Sequence, residues 1–269
     1  KNRRKQPFSD ELAKPRAFAF KNSYMTYVLN NYIIPGKSTY EPIIKENAEE
    51  SFEDYVVQKI NTYYDWTVTE LCNKFHIEYQ KKPKSLEAML AYRMLGIKGN
   101  HAEEFEKANV VVKAIRIEKN NKIKENMSFP NFKFKELLEE EWADSTFGNY
   151  LRETRFLFVI YKYDQSGELR LKGCQFWNIP YDDLEGNVKL VWEKTQRVIR
   201  EGLQIEKKNG KNYNNFPKAS ENPVCHVRPH ARNAKDTYEL PDGRQYPKQC
   251  FWLNNSYILS QLQDQFKEE

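Results

Sequence analysis

Asn109-Val110-Val111-Val112-Lys113-Ala114-Ile115-Arg116-Ile117, preceded by His101-Ala102-Glu103-Glu104-Phe105, is the stretch on which the fold turns. Consecutive β-branched residues favour a pleated, buried surface and predict a strand over Asn109 to Ile117. Alternation brings Val111 and Lys113 to the same face of that strand. Taken alone, the run is a buried strand, with Glu103, Glu104 and Glu106 a solvated charged face ahead of it.

Working outward, apolar and aromatic residues recur at helical spacing over Ser23 to Ile34, Ser51 to Tyr63 and Trp66 to Phe75. Lys84 to Leu95 predicts another helix, with Leu86, Met89, Leu90 and Met94 inward and Gly96 as its stop. Past the strand, Phe134 to Trp142 is helical. Arg155 to Tyr161 and Leu169 to Trp177 form a hairpin around Asp164-Gln165-Ser166-Gly167. Asp182 to Leu203 predicts a long amphipathic helix carrying Val188, Val191, Trp192, Val198 and Ile199. The remainder is loop-rich, with short strands at Val224 to Val227 and Cys250 to Leu253 and a terminal helix from Ser256 to Phe266. Helices flanking a mixed central sheet predict an α/β (α+β) fold, and a single domain over residues 1–269 with one core.

The 269 residues are 39% hydrophobic, 14% aromatic and 30% charged, enough to bury a core beneath a polar surface. The mean hydropathy is −0.86. No apolar run approaches the roughly 18 residues of a membrane span, and Lys1-Asn2-Arg3-Arg4-Lys5 lacks the apolar core of a signal peptide. A cytoplasmic protein without a membrane partner is expected. Cys72, Cys174, Cys225 and Cys250 are scattered without paired spacing and are expected to be reduced thiols. The lack of an initiating Met predicts a piece of a longer protein.

A net charge of +5 permits a polyanionic partner without requiring one. Basic clusters occur at Lys1 to Lys5, Lys81-Lys82-Pro83-Lys84, Lys207 to Lys211 and Arg228 to Lys235. Lys207 to Lys211, set among Asn and Gly, predicts a solvated loop, with phosphate contact the alternative. In Cys225-His226-Val227-Arg228-Pro229-His230-Ala231-Arg232-Asn233-Ala234-Lys235-Asp236, Pro229 locks its own φ and restricts Arg228, so the guanidinium can be held in one pose. A fixed guanidinium suits bidentate contact with guanine, worth roughly 1–3 kcal/mol of discrimination. The plain alternative is an Arg paired with a surface carboxylate. Cys225, His226, His230 and Cys250 lack standard zinc-ligand spacing, and no metal site is expected there.

Metal-dependent nucleases commonly place one acid before a strand and an acid-x-Lys triplet on it. The two carboxylates hold Mg²⁺, which activates a water that the Lys helps orient. Here the position two before Lys113 is Val111, which offers no oxygen. The pattern points to DNA binding without DNA cutting.

The chain resembles the MutH-like nucleases, and within them the GATC-cutting type II restriction endonucleases that carry two MutH-like domains on one chain. The resemblance runs through Trp66 to Leu71, the helix from Lys84 to Gly96, the strand region, Val227-Arg228-Pro229 with Asn233-Ala234-Lys235, and Phe251-Trp252-Leu253. Arg16-Ala17-Phe18, Ser23 to Thr26, Cys225 to His230 and Phe251 to Tyr257 make it similar to the C-terminal domain, which does not cut.

The resemblance implies a restriction-endonuclease-like fold of MutH type and roles for single positions. The first metal-binding acid falls on Glu104, the second on Val111, an additional helix acid on Tyr92 and the lysine on Lys113. The catalytic site is therefore degenerate, and no cofactor is expected for this domain, with Mg²⁺ expected for the cutting domain of a parent enzyme. The DNA-reading arginine falls on Arg228 and the lysine two positions later on His230. The helix-start lysine is Lys84, and Trp252 replaces a tyrosine associated with sensing adenine methylation. Arg232 and Lys235 approach bases or phosphates. Implied partners are double-stranded DNA containing GATC, an N-terminal catalytic domain of the same enzyme and a second copy on DNA. The leading expectation is an allosteric, non-catalytic reading domain. Its rivals are a working endonuclease, with Glu106 or Glu118 moving into the site, and a structural or dimerisation module.

Overall fold

The computed structural model describes residues 5–6, 9–12, 19–34, 36, 40–44, 50–78, 85–208 and 211–267. In chain order, a small hairpin of β1 (Lys5–Gln6) and β2 (Ser9–Leu12) precedes α1 (Asn22–Val28), which runs into a π-helical turn, Leu29–Ile33. Then come α2 (Phe52–Asn61), α3 (Val68–Lys74), α4 (Leu86–Met94), α5 (Glu103–Ala108) and β3 (Val110–Ile117). The middle of the chain forms β4 (Met127–Phe132), α6 (Phe134–Glu139), α7 (Thr146–Glu153), β5 (Arg155–Tyr163) and β6 (Leu169–Trp177). A turn, α8 (Tyr181–Asp183), passes through π-helical Leu184–Val188 into α9 (Lys189–Glu201). The last third holds β7 (Ile205–Lys208), β8 (Lys211–Asn214), β9 (Cys225–Pro229), β10 (Thr237–Glu239), β11 (Gln245–Pro247), β12 (Gln249–Leu253) and α10 (Asn255–Gln261).

Local chemistry sets several boundaries. Thr67 and Glu70 close a reciprocal capping box at the start of α3, and Ser51 and Ser145 cap α2 and α7. Gly96, at φ +81°, terminates α4 as its position predicts. Asn109, at φ +56°, ends α5 and turns the chain directly into β3.

The fold is α/β, but the sheet is not one central mixed sheet. In the first of two three-stranded sheets, β3 runs parallel to β5, and β5 pairs antiparallel with β6. In the second, β12 lies between β4 and β9, antiparallel to both. A bulge between Ile160 and Tyr161 bends the β5–β6 pair opposite Gly173. A Cβ on Gly173 would come within 2.9 Å of Asn61 Oδ1, so a side chain has no room there.

The expected single core is split by the first sheet. Phe156 to Tyr161 are each 0% exposed, because β5 is covered on both faces. Phe156, Phe158 and Ile160 pack with Phe129, Phe147, Trp192 and Phe251 on the side of the second sheet. Leu157, Val159 and Tyr161 pack with Val56, Ile60, Leu71, Leu90 and Phe105, from the helices of the N-terminal third, on the other. Truncating Phe158 to Ala is worth about 3–5 kcal/mol in such a setting.

Two further expectations fail for local reasons. Lys207 and Lys211 belong to the β7–β8 hairpin rather than to a loop, since Ile205 to Lys208 pairs with Lys211 to Asn214. The terminal helix stops at Gln261, where Leu262 turns extended, and only a 3-10 turn, Asp264–Phe266, follows. Residues 1–4 and 81–84, with their lysine clusters, lie outside the described residues. No helix among the described residues is long and apolar enough to cross a membrane.

Candidate nucleic-acid interface

The side chains of β3 divide between the two cores as alternation requires. Val111, Ile115 and Ile117 pack with the second-sheet side, and Val110, Val112 and Ala114 with the helical side. Val111 and Lys113 therefore share a face. Lys113 lines a cavity of about 520 Å³ with Arg116, Glu118, Asn126 and Ser128. Among the described residues no side chain pairs with its ammonium, and burial pushes its pKa down, with the Cys250 thiol opposing that shift.

Of the positions that the resemblance assigns to metal-binding acids, Val111 and Tyr92 carry no carboxylate, and Glu104 is engaged by backbone amides. Glu104 turns to the chain before α2, where its Oε2 accepts from the Ile43 amide at 2.9 Å and its Oε1 from the Ile44 amide at 3.0 Å. Tyr92 packs edge-on to Phe105, with ring centroids 6.0 Å apart, and burial followed by the charge of Glu106 pushes its phenol up to about 12. A neutral phenol, a valine and a carboxylate already held by two amides do not make a divalent-cation site. Among the described residues no cluster of three or more His, Cys, Asp or Glu side chains is placed to hold a metal ion. Glu106 pairs with His101 at 3.2 Å. Glu87 meets Arg116 at 2.9 Å, and Glu125 lies 3.7 Å from the same guanidinium.

The basic side of the site is assembled on the outer face of the second sheet. Cys250 pairs with Arg228 on β9 and with Asn131 on β4, and Trp252 pairs with His226 and Ser128. Phe251 and Leu253 point to the core, so Cys250 and Trp252 point away from it. Arg228 lays its Cζ over the Trp252 ring, 5.1 Å from the centroid, while Trp252 Nε1 donates to the Arg228 carbonyl at 3.3 Å. His230 meets the same indole edge-on, with centroids 5.4 Å apart at 88°. Arg228 and His230 are exposed, and among the described residues no carboxylate pairs with the Arg228 guanidinium. The pairing with a surface carboxylate weighed from sequence is therefore not what holds Arg228. The indole does.

Burial pushes the Cys250 thiol up to about 12, while the charges of Arg228 and Lys113 pull the other way. Arg228, His230 and Trp252 gather on the outer face of the second sheet, and Lys113 lines its own cavity beside the first.

No family profile matches the chain. Over 304 aligned positions, covering 97% of this chain, it is 37% identical to the type II restriction enzyme Sau3AI of Staphylococcus aureus. The chain is similar to that restriction enzyme. It spans 62% of the length of Sau3AI, so the likeness covers nearly all of this chain and part of the enzyme.

Of the other positions singled out on the likeness to enzymes of the Sau3AI kind, Arg232 and Lys235 are exposed in the loop after β9, and Lys84 lies outside the described residues. Sequence reasoning missed what holds that loop. Asp236 accepts from the Arg232 amide at 3.1 Å and pairs with Lys248 at 2.5 Å, and these contacts hold its carboxyl below the usual range, Lys248 contributing most. The Lys248 carbonyl accepts from the His230 amide at 2.9 Å, and Asn131 Nδ2 donates to the His230 carbonyl at 3.3 Å. Asp236 closed the basic cluster in sequence, four positions after Arg232, which is the one signal that marks it. Asn131 carried no such signal, because Pro130-Asn131 has the composition of a turn.

Proposed function

We propose that this chain is a non-catalytic DNA-reading domain of MutH type, spanning residues 1–269, which binds GATC duplexes as the effector half of a type II restriction endonuclease. The observation that carries the reading is the exposed guanidinium of Arg228, free of carboxylates among the described residues and fixed on Trp252. A guanidinium held over an indole and unpaired is prepared for bidentate contact with a guanine edge. His230 and Trp252 line the reading surface beside it. Arg232, Lys235 and Lys84 contribute phosphate or base contacts. The absence of oxygen at Val111 and the commitment of Glu104 to the Ile43 and Ile44 amides support binding without cleavage. Occupancy would activate an N-terminal cutting domain that uses Mg²⁺, and two copies would meet on DNA.

Competition binding of Arg228→Ala against GATC and scrambled duplexes tests this. The variant should lose the preference for GATC while retaining its affinity for scrambled duplex. An equal loss on both would make Arg228 a phosphate contact. One observation favours a second reading, an active endonuclease: Glu118 lines the same cavity as Lys113. Cleavage of GATC duplex with Mg²⁺ or Mn²⁺, abolished by Glu118→Gln and by Lys113→Ala, would establish it.

A further inference from the structure

A smaller cavity of about 150 Å³ opens beside the edge strand β4, between α6, α7 and the aromatic layer beneath the reading face. Its walls are Phe132, Phe147, Tyr150 and Phe251, with Phe147 and Phe251 stacked at 4.3 Å. At its rim, Lys133 satisfies Glu136 at 2.7 Å. Glu140 is different. Its Oε1 accepts from the Thr146 hydroxyl, and its Oε2 is buried with no hydrogen-bond partner among the described residues. The Oδ1 of Asn131, which lines the same cavity, is buried and unpartnered as well.

Two residues that line one small cavity thus each carry an orphan acceptor, and a buried polar atom left unpaired costs about 1–3 kcal/mol. One of them carries charge, and the walls are aromatic faces. A cavity of roughly this size holds a body as large as benzene. The group that suits such a site is planar, cationic and rich in N–H donors. An ammonium would satisfy the charge, but as a compact, strongly hydrated donor it would not cover the aromatic walls.

We propose that this cavity binds a guanidinium on a short alkyl stem, with Glu140 and Asn131 accepting its N–H groups and the Phe147 and Tyr150 rings against its faces. The site has a built-in connection to the reading loop. Asn131 is the shared residue, because its Nδ2 holds the His230 carbonyl at 3.3 Å. A cation on Oδ1 fixes the amide and with it the position of His230, so occupancy should tighten the loop. This coupling rests on the DNA-reading function proposed above, whereas the binding step does not.

The test is calorimetric titration of the full chain, without DNA, using agmatine, a blocked Gly-Arg-Gly peptide and butylammonium. Both guanidinium probes should bind, butylammonium at least about fivefold more weakly, and Glu140→Gln should weaken the guanidinium probes at least about tenfold. Asn131→Ala should give a smaller loss, and it serves if Glu140→Gln does not fold. Tighter binding of the peptide identifies a protein arginine as the natural occupant, and tighter binding of agmatine a free small cation. No binding at millimolar probe, or binding untouched by both variants in their folded form, overturns the site. The GATC affinity is then measured with and without saturating agmatine. Unchanged affinity overturns the coupling and leaves the site standing, and failure of GATC binding itself is read separately from the DNA-free titration.

Discussion

Replacing Trp252 by Leu removes the platform under Arg228 while leaving the guanidinium in place. Two contacts disappear: the face-on contact at 5.1 Å and the hydrogen bond from Nε1 to the Arg228 carbonyl at 3.3 Å. The first is worth about 0.5–1 kcal/mol at an exposed site. The second restrains the backbone of an exposed strand end and adds little to the reading directly. Freed from the indole, Arg228 must be immobilised on binding, at a cost of about 0.5–1.5 kcal/mol for a rotamer-rich side chain. Together these give a loss of about 1–2.5 kcal/mol, or roughly 5- to 70-fold in Kd for a GATC duplex. Fluorescence anisotropy with labelled GATC and scrambled duplexes measures it. Because Trp252 acts through Arg228, the same substitution in an Arg228→Ala background should have almost no effect on GATC affinity. A full effect of Trp252→Leu in that background, or an equal loss on scrambled duplex, would refute the idea that the indole works by holding the guanidinium.

Three further outcomes follow from the geometry. Glu104→Ala strips the acceptor from the Ile43 and Ile44 amides and should cost about 1–3 kcal/mol in denaturant unfolding, with GATC affinity unchanged. Lys113→Met should stabilise the DNA-free chain at neutral pH, because burial holds the folded-state pKa of Lys113 below its unfolded value. The folded form then releases its proton first as pH rises, so wild-type stability recovers toward the usual lysine range and the gain from Lys113→Met shrinks there, as unfolding between neutral and alkaline pH can check. Asp236→Ala releases the Arg232 amide and Lys248, and should lower GATC affinity more than scrambled-duplex affinity while leaving the melting temperature within a few degrees, as anisotropy and thermal melting can show.

Much of the fold is legible in the sequence where periodicity and punctuation agree. The β5–β6 hairpin, β3 and α4 with its Gly96 stop all form close to their predicted limits. The parts that are not legible depend on distant pairing. β4 carries Pro130 and Asn131, which locally signal a turn, and it is a strand because β12 pairs with it along one edge. α5 is short and charged, and Phe105 anchors it in the helical core. The second sheet joins segments near residues 130, 227 and 251, so no local pattern separates two sheets from one. The same holds for the site. Arg228, His230 and Trp252 are singled out by their residues and by the family resemblance, and the structure brings the three together. That Trp252 sits against Arg228 emerges only when β12 pairs with β9.

The central claim is that this chain reads GATC without cutting it. The direct measurement is binding to a GATC duplex against a scrambled one at roughly 150 mM salt, where non-specific phosphate attraction is weak, with Mg²⁺ present and the DNA examined for breaks afterwards. Preferential binding to GATC with both strands intact is the result predicted here. Cut DNA, or equal binding to the two duplexes, would contradict it.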